Sequence, residues 1–406
     1  MRVLGDARRR ERISAFRFAN QSRSRRRWFD MIGGNRSNSM NRRHFLAAAG
    51  GLVAAGSLTL AQPARRRFLY IAQPGIRNYQ QYGGVGVLVY DIDRDYAFVR
   101  RIPTWPVPDG TQADNVKGVA ASAATGRLWV STIKRLACIE LATDRVLWDV
   151  APEGGCDRLS VSPDGRTLYV PSFEGPHWNV VDGLTGETRR KVVLNSRAHN
   201  TLWSPDGSRV YLEGLASPHL TVVDATTHEV MGTIGPFSAA VRPFTVNAAQ
   251  THCYVNVNDL LGFEVGDLRT GKVLHQVVVK GYEKGPVARH ACPSHGIGLT
   301  PDEKELWVCD GHNLALHVFD NTVMPPRQVT TLKVRDQPGW ITFSLDGAHA
   351  WPSTGEVFDV GTKALVKSLR DEAGREVGSE KLLEVDFEGR RPVAAGNSFG
   401  GGVRES

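Results

Sequence analysis

The stretch SPDGRTLYV at residues 162–170 returns as SPDGSRVYL at 204–212, and a chain that repeats itself at this distance has few folds open to it. The aromatic that closes the triplet LYV serves as a ruler. Its equivalents are Tyr70, Trp129, Tyr169, Tyr211, Tyr254, Trp307 and Trp351, at intervals of 59, 40, 42, 43, 53 and 44 residues. Self-similarity at this period is the mark of a propeller or a solenoid. Within one period the text runs RLSVS (158–162), a Pro-Asp-Gly turn, TLYVP (167–171), WNVVD (178–182), a Gly/Thr turn, and RKVVL (190–194). That is four short strands rich in Val, Leu, Tyr and Thr, each bounded by turn residues, and no helix. Pro163 presets φ for a type I turn, Asp164 can bond backbone two residues on, and Gly165 accepts the positive φ that reverses the chain. Pro205, Asp206 and Gly207 repeat the device, and Asp346 and Gly347 a weaker form of it.

A single four-stranded sheet leaves apolar faces bare, and radial packing of such sheets about an axis covers both. Third-strand text counts the blades: VLVYD (87–91), CIELA (138–142), WNVVD, LTVVD (220–224), FEVGD (263–267), ALHVF (315–319) and EVFDV (356–360). The expected fold is therefore all-β, a seven-bladed β-propeller of four-stranded antiparallel blades. It starts with a second-type strand, RRFLYIA (66–72), and ends with a first-type one, LLEVD (382–386), so strands from both termini can close the ring without a free edge. One second-type copy, RPVAAG at 391–396, is left without a place. The repeated SPDG, LYV and VVD text from Arg65 to Gly396 resembles the YVTN-type seven-bladed propellers of secreted bacterial proteins. That resemblance implies a scaffold on which lactonases, lyases, cofactor enzymes and plain binding proteins have all been built.

The formal net charge of +8 is misleading about partners. Residues 1–39 hold eleven arginines against Asp6, Glu11 and Asp30, which accounts for +8, and Arg42 and Arg43 add +2. The chain from Arg65 onward therefore carries −2, which removes the electrostatic case for nucleic acid as a partner. Residues 40–64, MNRRHFLAAAGGLVAAGSLTLAQPA, read as a signal peptide: a basic start, an apolar stretch too short to span a bilayer, and a small-residue end at Thr59-Leu60-Ala61. Arg42, Arg43, Phe45 and Leu46 resemble a twin-arginine export signal, although Asn41 stands where Ser or Thr is commoner, and a general secretory signal is the alternative. Either way the expectation is cleavage, a periplasmic or extracellular protein, and no stable membrane insertion afterwards. The division expected is an Arg-rich disordered extension (1–39) upstream of the true start, the signal peptide (40–64), the propeller (65–396) and a flexible tail (397–406).

Most catalytic motifs fail in context. GNSFG (396–400) matches the G-x-S-x-G elbow without a strand before it and a helix after it. GGVGV (83–87) lacks a βαβ unit, and five cysteines without a C-x-x-C give neither a zinc ribbon nor attached haem. Cys138, Cys253 and Cys309 fall inside strands, as small buried apolar residues do.

Length variation falls on the loops of one face: 73–85, 103–117 and 281–295. Long loops on a rigid frame are where binding residues are carried. Tyr79, Tyr82, Trp105, His199, His290, His295, Asp310 and His312 map to that face. Counting back eight places from Gly165, Gly207 and the equivalent Glu303 gives Asp157, His199 and His295, with Arg242 and Trp340 one step out of register in their own blades. Equivalent positions point at one end of the channel, so the expected ligand-binding set at its mouth is Asp157, His199, Arg242, His295 and Trp340, rimmed by His290 and His312. Two imidazoles and a carboxylate, His199, His295 and Asp157, could hold a divalent metal. A ring of polar residues around channel water is the alternative. Two functions follow: an exported scaffold binding a protein, glycan or small molecule through its loop face, or a propeller enzyme of lactonase, lyase or metal-dependent oxidoreductase type with a His/Asp site at the channel mouth.

Overall fold

Twenty-nine strands sort by hydrogen bonding into seven antiparallel sheets in the computed structural model, which describes residues 64–290 and 292–400. Six sheets are single periods of the repeat: blade 2 (116–150), blade 3 (160–193), blade 4 (198–234), blade 5 (241–278), blade 6 (294–333) and blade 7 (341–368). In each, the first strand approaches its neighbours' first strands around the axis, and the following three step outward. Blade 1 takes its second to fourth strands from the start of the chain (Arg65–Gln73, Gly86–Asp91, Ala97–Ile102) and its innermost strand, Leu382–Glu388, from the end. Those two pair from Arg65↔Glu388 to Ile71↔Leu382, which closes the ring as expected. The Arg-rich extension 1–39 and the signal segment, apart from Ala64, lie outside the described residues. Among the described residues no helix is long and apolar enough to cross a membrane.

The turns behave as their chemistry dictates. In blades 2 to 7 the residue that ends the first hairpin is left-handed every time: Gly126, Gly165, Gly207, Gln250, Glu303 and Gly347, with φ between 51° and 71°. A hydroxyl at the turn's start locks it in four blades, since Ser162, Ser204, Thr300 and Ser344 each donate to the Asp two residues on. The ruler aromatics are all buried between blades, and every interface between neighbouring blades owns one apolar cluster, seven in all. Tyr70 faces blade 2 while its neighbour Leu69 faces blade 7, because successive strand residues point to opposite faces. All five cysteines are buried and unbridged, and burial pushes the thiols of Cys138, Cys253 and Cys292 up to about 12.

The surplus strand finds its place inside the ring. Arg391–Ala395 pairs with the inner edge of Leu382–Glu388, as a fifth strand nearest the axis. The residues after it are not the start of a flexible tail. Phe399 is buried, the Ser398 carbonyl accepts from Trp340 Nε1, and the Gly400 carbonyl accepts from Leu299 N (2.6 Å) and Thr245 Oγ1 (3.2 Å). This segment thus bonds the inner strands of blades 5 and 6 and the head of blade 7's from within the channel; residues 401–406 lie outside the described residues.

Gly165 and Gly207 adopt nearly the same φ, 70° and 69°, but a Cβ on Gly165 would stand 2.2 Å from Ser122 Oγ in the next blade, whereas one on Gly207 would meet only Pro163 at 3.4 Å. Gly207→Ala should therefore lose about 1 kcal/mol for the left-handed backbone, and Gly165→Ala measurably more. Urea unfolding of the two variants checks this; equal losses would contradict it.

Candidate functional site

Seven innermost strands begin at the loop face, and six of them bring a residue at or beside that start to a common cavity of about 380 Å³. Lys117 comes from blade 2, Asp157 and Arg158 from blade 3, His199 from blade 4, Arg242 from blade 5, His295 from blade 6, and Glu380 and Lys381 from the segment entering blade 1's closing strand. The long loops add Arg77 and the pair Arg289 and His290, and shorter links add Arg197 and Glu174. Seven arginine and lysine side chains thus face three carboxylates around one cavity.

Blade 3 supplies its centre. Asp157 Oδ2 lies 2.7 Å from His199 Nδ1 and its Oδ1 lies 3.2 Å from Lys117 Nζ. Burial pushes the Asp157 carboxyl up, but His199 and Lys117 outweigh it and hold the group below the usual carboxylate range. Arg158 forms the floor: its guanidinium carbon sits 3.3 Å from the Trp340 ring centroid, its Nη1 donates to the Glu380 carbonyl (2.9 Å), and its Nη2 stands 3.4 Å from Glu380 Oε2. Phe399 meets the Trp340 ring edge-on at 5.6 Å, so the C-terminal segment supports this floor from below.

Glu380 Oε2 is held by Lys381 Nζ (2.8 Å), while Oε1 lies 2.9 Å from His290 Nε2 without hydrogen-bond directionality, leaving that buried nitrogen unpartnered. Burial raises the Glu380 carboxyl, but Lys381 and His290 bring it well below its ordinary value. The rings of His290 and His295 stack at 3.8 Å. Burial lowers both imidazoles, outweighing the upward pull of Glu380 on each. His295 Nδ1 donates to the Gly339 carbonyl (2.8 Å), which leaves Nε2 with its lone pair.

The structure brings Asp157, His199, Arg242, His290 and His295 to one cavity. It does not group Asp157, His199 and His295 as metal ligands, because both Asp157 oxygens are engaged by His199 and Lys117. Among the described residues, the ligand atoms that converge within 4.8 Å of one another belong to His290, His295 and Glu380. Trp340 is buried under Arg158 and does not line the cavity, and His312 is an exposed residue outside it, its Nδ1 3.3 Å from the Pro286 carbonyl. Asp310 stands at the loop-face end of its strand but outside the cavity, buried against His317 Nε2 at 3.1 Å and accepting from His312 N and Asn313 N. Trp105 covers a separate depression of about 280 Å³ whose charged side chains, Asp114 and Lys134, pair with each other at 3.0 Å. Sequence reasoning missed Lys117, Arg158, Glu380 and Lys381. The charged segment DEAGREVGSEK (371–381), nearly as long as the other variable loops of that face, was the available signal for the last two.

Beneath His199 lies Glu213, fully buried. Its Oε2 accepts from Asn200 N (3.2 Å) and Nδ2 (2.7 Å), and its Oε1 has no partner. Burial pushes this carboxyl from 4.5 up to about 7, against the pull of His199 and Arg242. The folded state therefore holds this proton more tightly than the unfolded chain, and the stability it contributes is lost as pH rises from 4.5 to about 7. Glu213→Gln should raise the melting temperature relative to wild type at pH 8 and change it little at pH 4.5. Equal shifts at both pH values would show that Glu213 is not buried as a neutral acid.

No protein-family model matches this chain, and no curated protein matches it. Among solved structures it is similar to the β-propeller domain of Cps50 (Swd1) from Myceliophteria thermophila, at 14% identity and a TM-score of 0.54, over 71% of this chain and 98% of that one. That likeness supports the propeller fold and carries no site.

Proposed function

We propose that the protein is a binding propeller whose channel mouth receives a small ligand carrying more than one negative charge. The observation that carries this reading is the surplus of three positive charges around a 380 Å³ cavity, seven cationic side chains against the three lining carboxylates and Asp336 behind Arg289. Lys117, Arg158, Arg197, Arg289 and Lys381 have carboxylate partners. Arg77 and Arg242 have none among the described residues: Arg77 donates to the Arg289 carbonyl (2.7 Å) and Arg242 to Asn258 Oδ1 (2.6 Å). Cations held in a recess with low-dielectric walls focus their field on whatever enters. The excess of fixed cations, each held in place by a hydrogen bond or ion pair, is what a binding role uses directly, and it supports that role over a lactonase or lyase.

Calorimetric titration with inorganic sulfate and with succinate tests the reading. Binding should occur at one site per chain, weaken with added sodium chloride, and fall about tenfold or more in Arg242→Ala, as the loss of one charge-assisted hydrogen bond requires. Absence of binding to either anion, or affinity unchanged in Arg242→Ala, would contradict it.

We further propose that the chain is an exported member of the YVTN-type propellers, acting in the periplasm or outside the cell. The repeat text and the segment 40–64 support this. Replacing Arg42 and Arg43 with Lys should leave unprocessed precursor in the cytoplasm, because a twin-arginine receptor reads both guanidinium groups. Normal export of that variant would return the segment to the general secretory route.

A further inference from the structure

We infer that His290, His295 and Glu380 form a site for one divalent transition-metal ion of the zinc class at the edge of the cationic cavity. Two imidazoles and a carboxylate are a borderline ligand set that suits zinc, cobalt or nickel better than calcium or magnesium. Ligands about 2.0–2.2 Å from a tetrahedral ion stand about 3.4 Å apart, so atoms already within 4.8 Å of one another are near enough for one ion once the stacked rings of His290 and His295 turn out of parallel and bring both in-plane lone pairs to it.

Four features indicate a built site. His290 Nε2 is buried with its lone pair or proton unanswered, although Glu380 Oε1 stands beside it at 2.9 Å. His295 is oriented by a backbone carbonyl on Nδ1, the arrangement that presents the other nitrogen of a ligating histidine to its ion. Glu380 is fixed through its other oxygen by Lys381.

Gly339 supplies the fourth feature. Its carbonyl orients His295, and a Cβ at this position would fall 2.2 Å from His290 Nε2 and 2.4 Å from Glu380 Oε1. The convergence of those two atoms therefore requires glycine at 339 for reasons of space, since its backbone is not left-handed.

Three protein ligands leave at least one coordination position for an exchangeable group, as in zinc sites that act on or bind small molecules. That position borders the cavity lined by Arg158 and Arg242. The further statement that the ion would take an anionic donor from the bound ligand rests on the anion-binding reading above; the metal site itself does not.

The test uses purified protein stripped with a chelator and titrated with cobalt(II) alone. The expected result is one ion per chain with visible absorption bands of nitrogen–oxygen coordination, displaced by zinc. Glu380→Gln and His295→Ala should each weaken cobalt binding about 100-fold or more, and Gly339→Ala about tenfold or more, with circular dichroism unchanged. His312→Ala should leave it unchanged. Absence of stoichiometric cobalt binding, or binding that survives both His295→Ala and Gly339→Ala, would overturn the site. Sulfate titration of the metal-free protein separates the two readings: loss of sulfate binding with cobalt binding intact counts against the anion reading alone, and the reverse against the metal site alone.

Discussion

Each blade is a small sheet with two apolar faces, and neither face can be covered except by another blade. That requirement makes the pairing of Leu382–Glu388 with Arg65–Gln73 the contact on which the molecule depends. Without it blade 1 would lack its innermost strand, and two of the seven apolar clusters, one toward blade 2 and one toward blade 7, would lose their contributions from Leu382, Leu383, Val385 and Phe387. Apolar area converts to stability at about 25 cal/mol per Å², so leaving two such clusters incomplete would consume much of a domain's small margin. Arg391–Ala395 and Phe399 extend the same logic to the axis, where the first strands would otherwise surround a gap.

Closure also sets the register at the mouth. Because the repeat brings each innermost strand to the loop face at a similar point, the side chains there are delivered to one place by separate blades. Lys117, His199, Arg242 and His295 sit at or near the starts of such strands, and Asp157 and Glu380 just before them. A rigid frame holds these charges near one another in a way that surface loops would not, and Arg158 stacked on Trp340 gives them a floor. Repulsion among the cations is relieved in part by Asp157, Glu174 and Glu380, and the remainder is available to a ligand.

The fold was legible because the propeller's physics is local and repeated. Gly165, Gly207 and the ruler aromatics announce turns and interfaces at fixed spacing, and the structure places them as that spacing requires. RPVAAG was harder to place, since a strand lying inside the innermost one has no counterpart in the repeat. At the site, positions fixed by counting from the turns, Asp157, His199 and His295, reached the cavity, and so did Arg242, which stands eight places before the left-handed Gln250 and so is in register after all. Trp340 did not, because the equivalent position in its blade is Gly339, eight places before Gly347, and a one-residue shift in an extended chain turns the side chain away. Partners supplied by irregular segments, Glu380 and Lys381, left no periodic trace. The grouping of His295 with His290 rather than with Asp157 was settled by contacts no spacing encodes, above all the Lys117–Asp157–His199 chain and the space left by Gly339.

The central claim is that the mouth of the channel is where this protein meets its ligand. A crystal soaked in sodium selenate tests it most directly, since selenium's anomalous signal locates the anion without reference to the protein's own density. The account predicts the strongest anomalous peak inside the cavity, within hydrogen-bonding distance of Arg242 and at least one of Lys117 and Arg158. Anomalous peaks confined to the outer surface or to the opposite end of the channel, with none at the mouth, would contradict it.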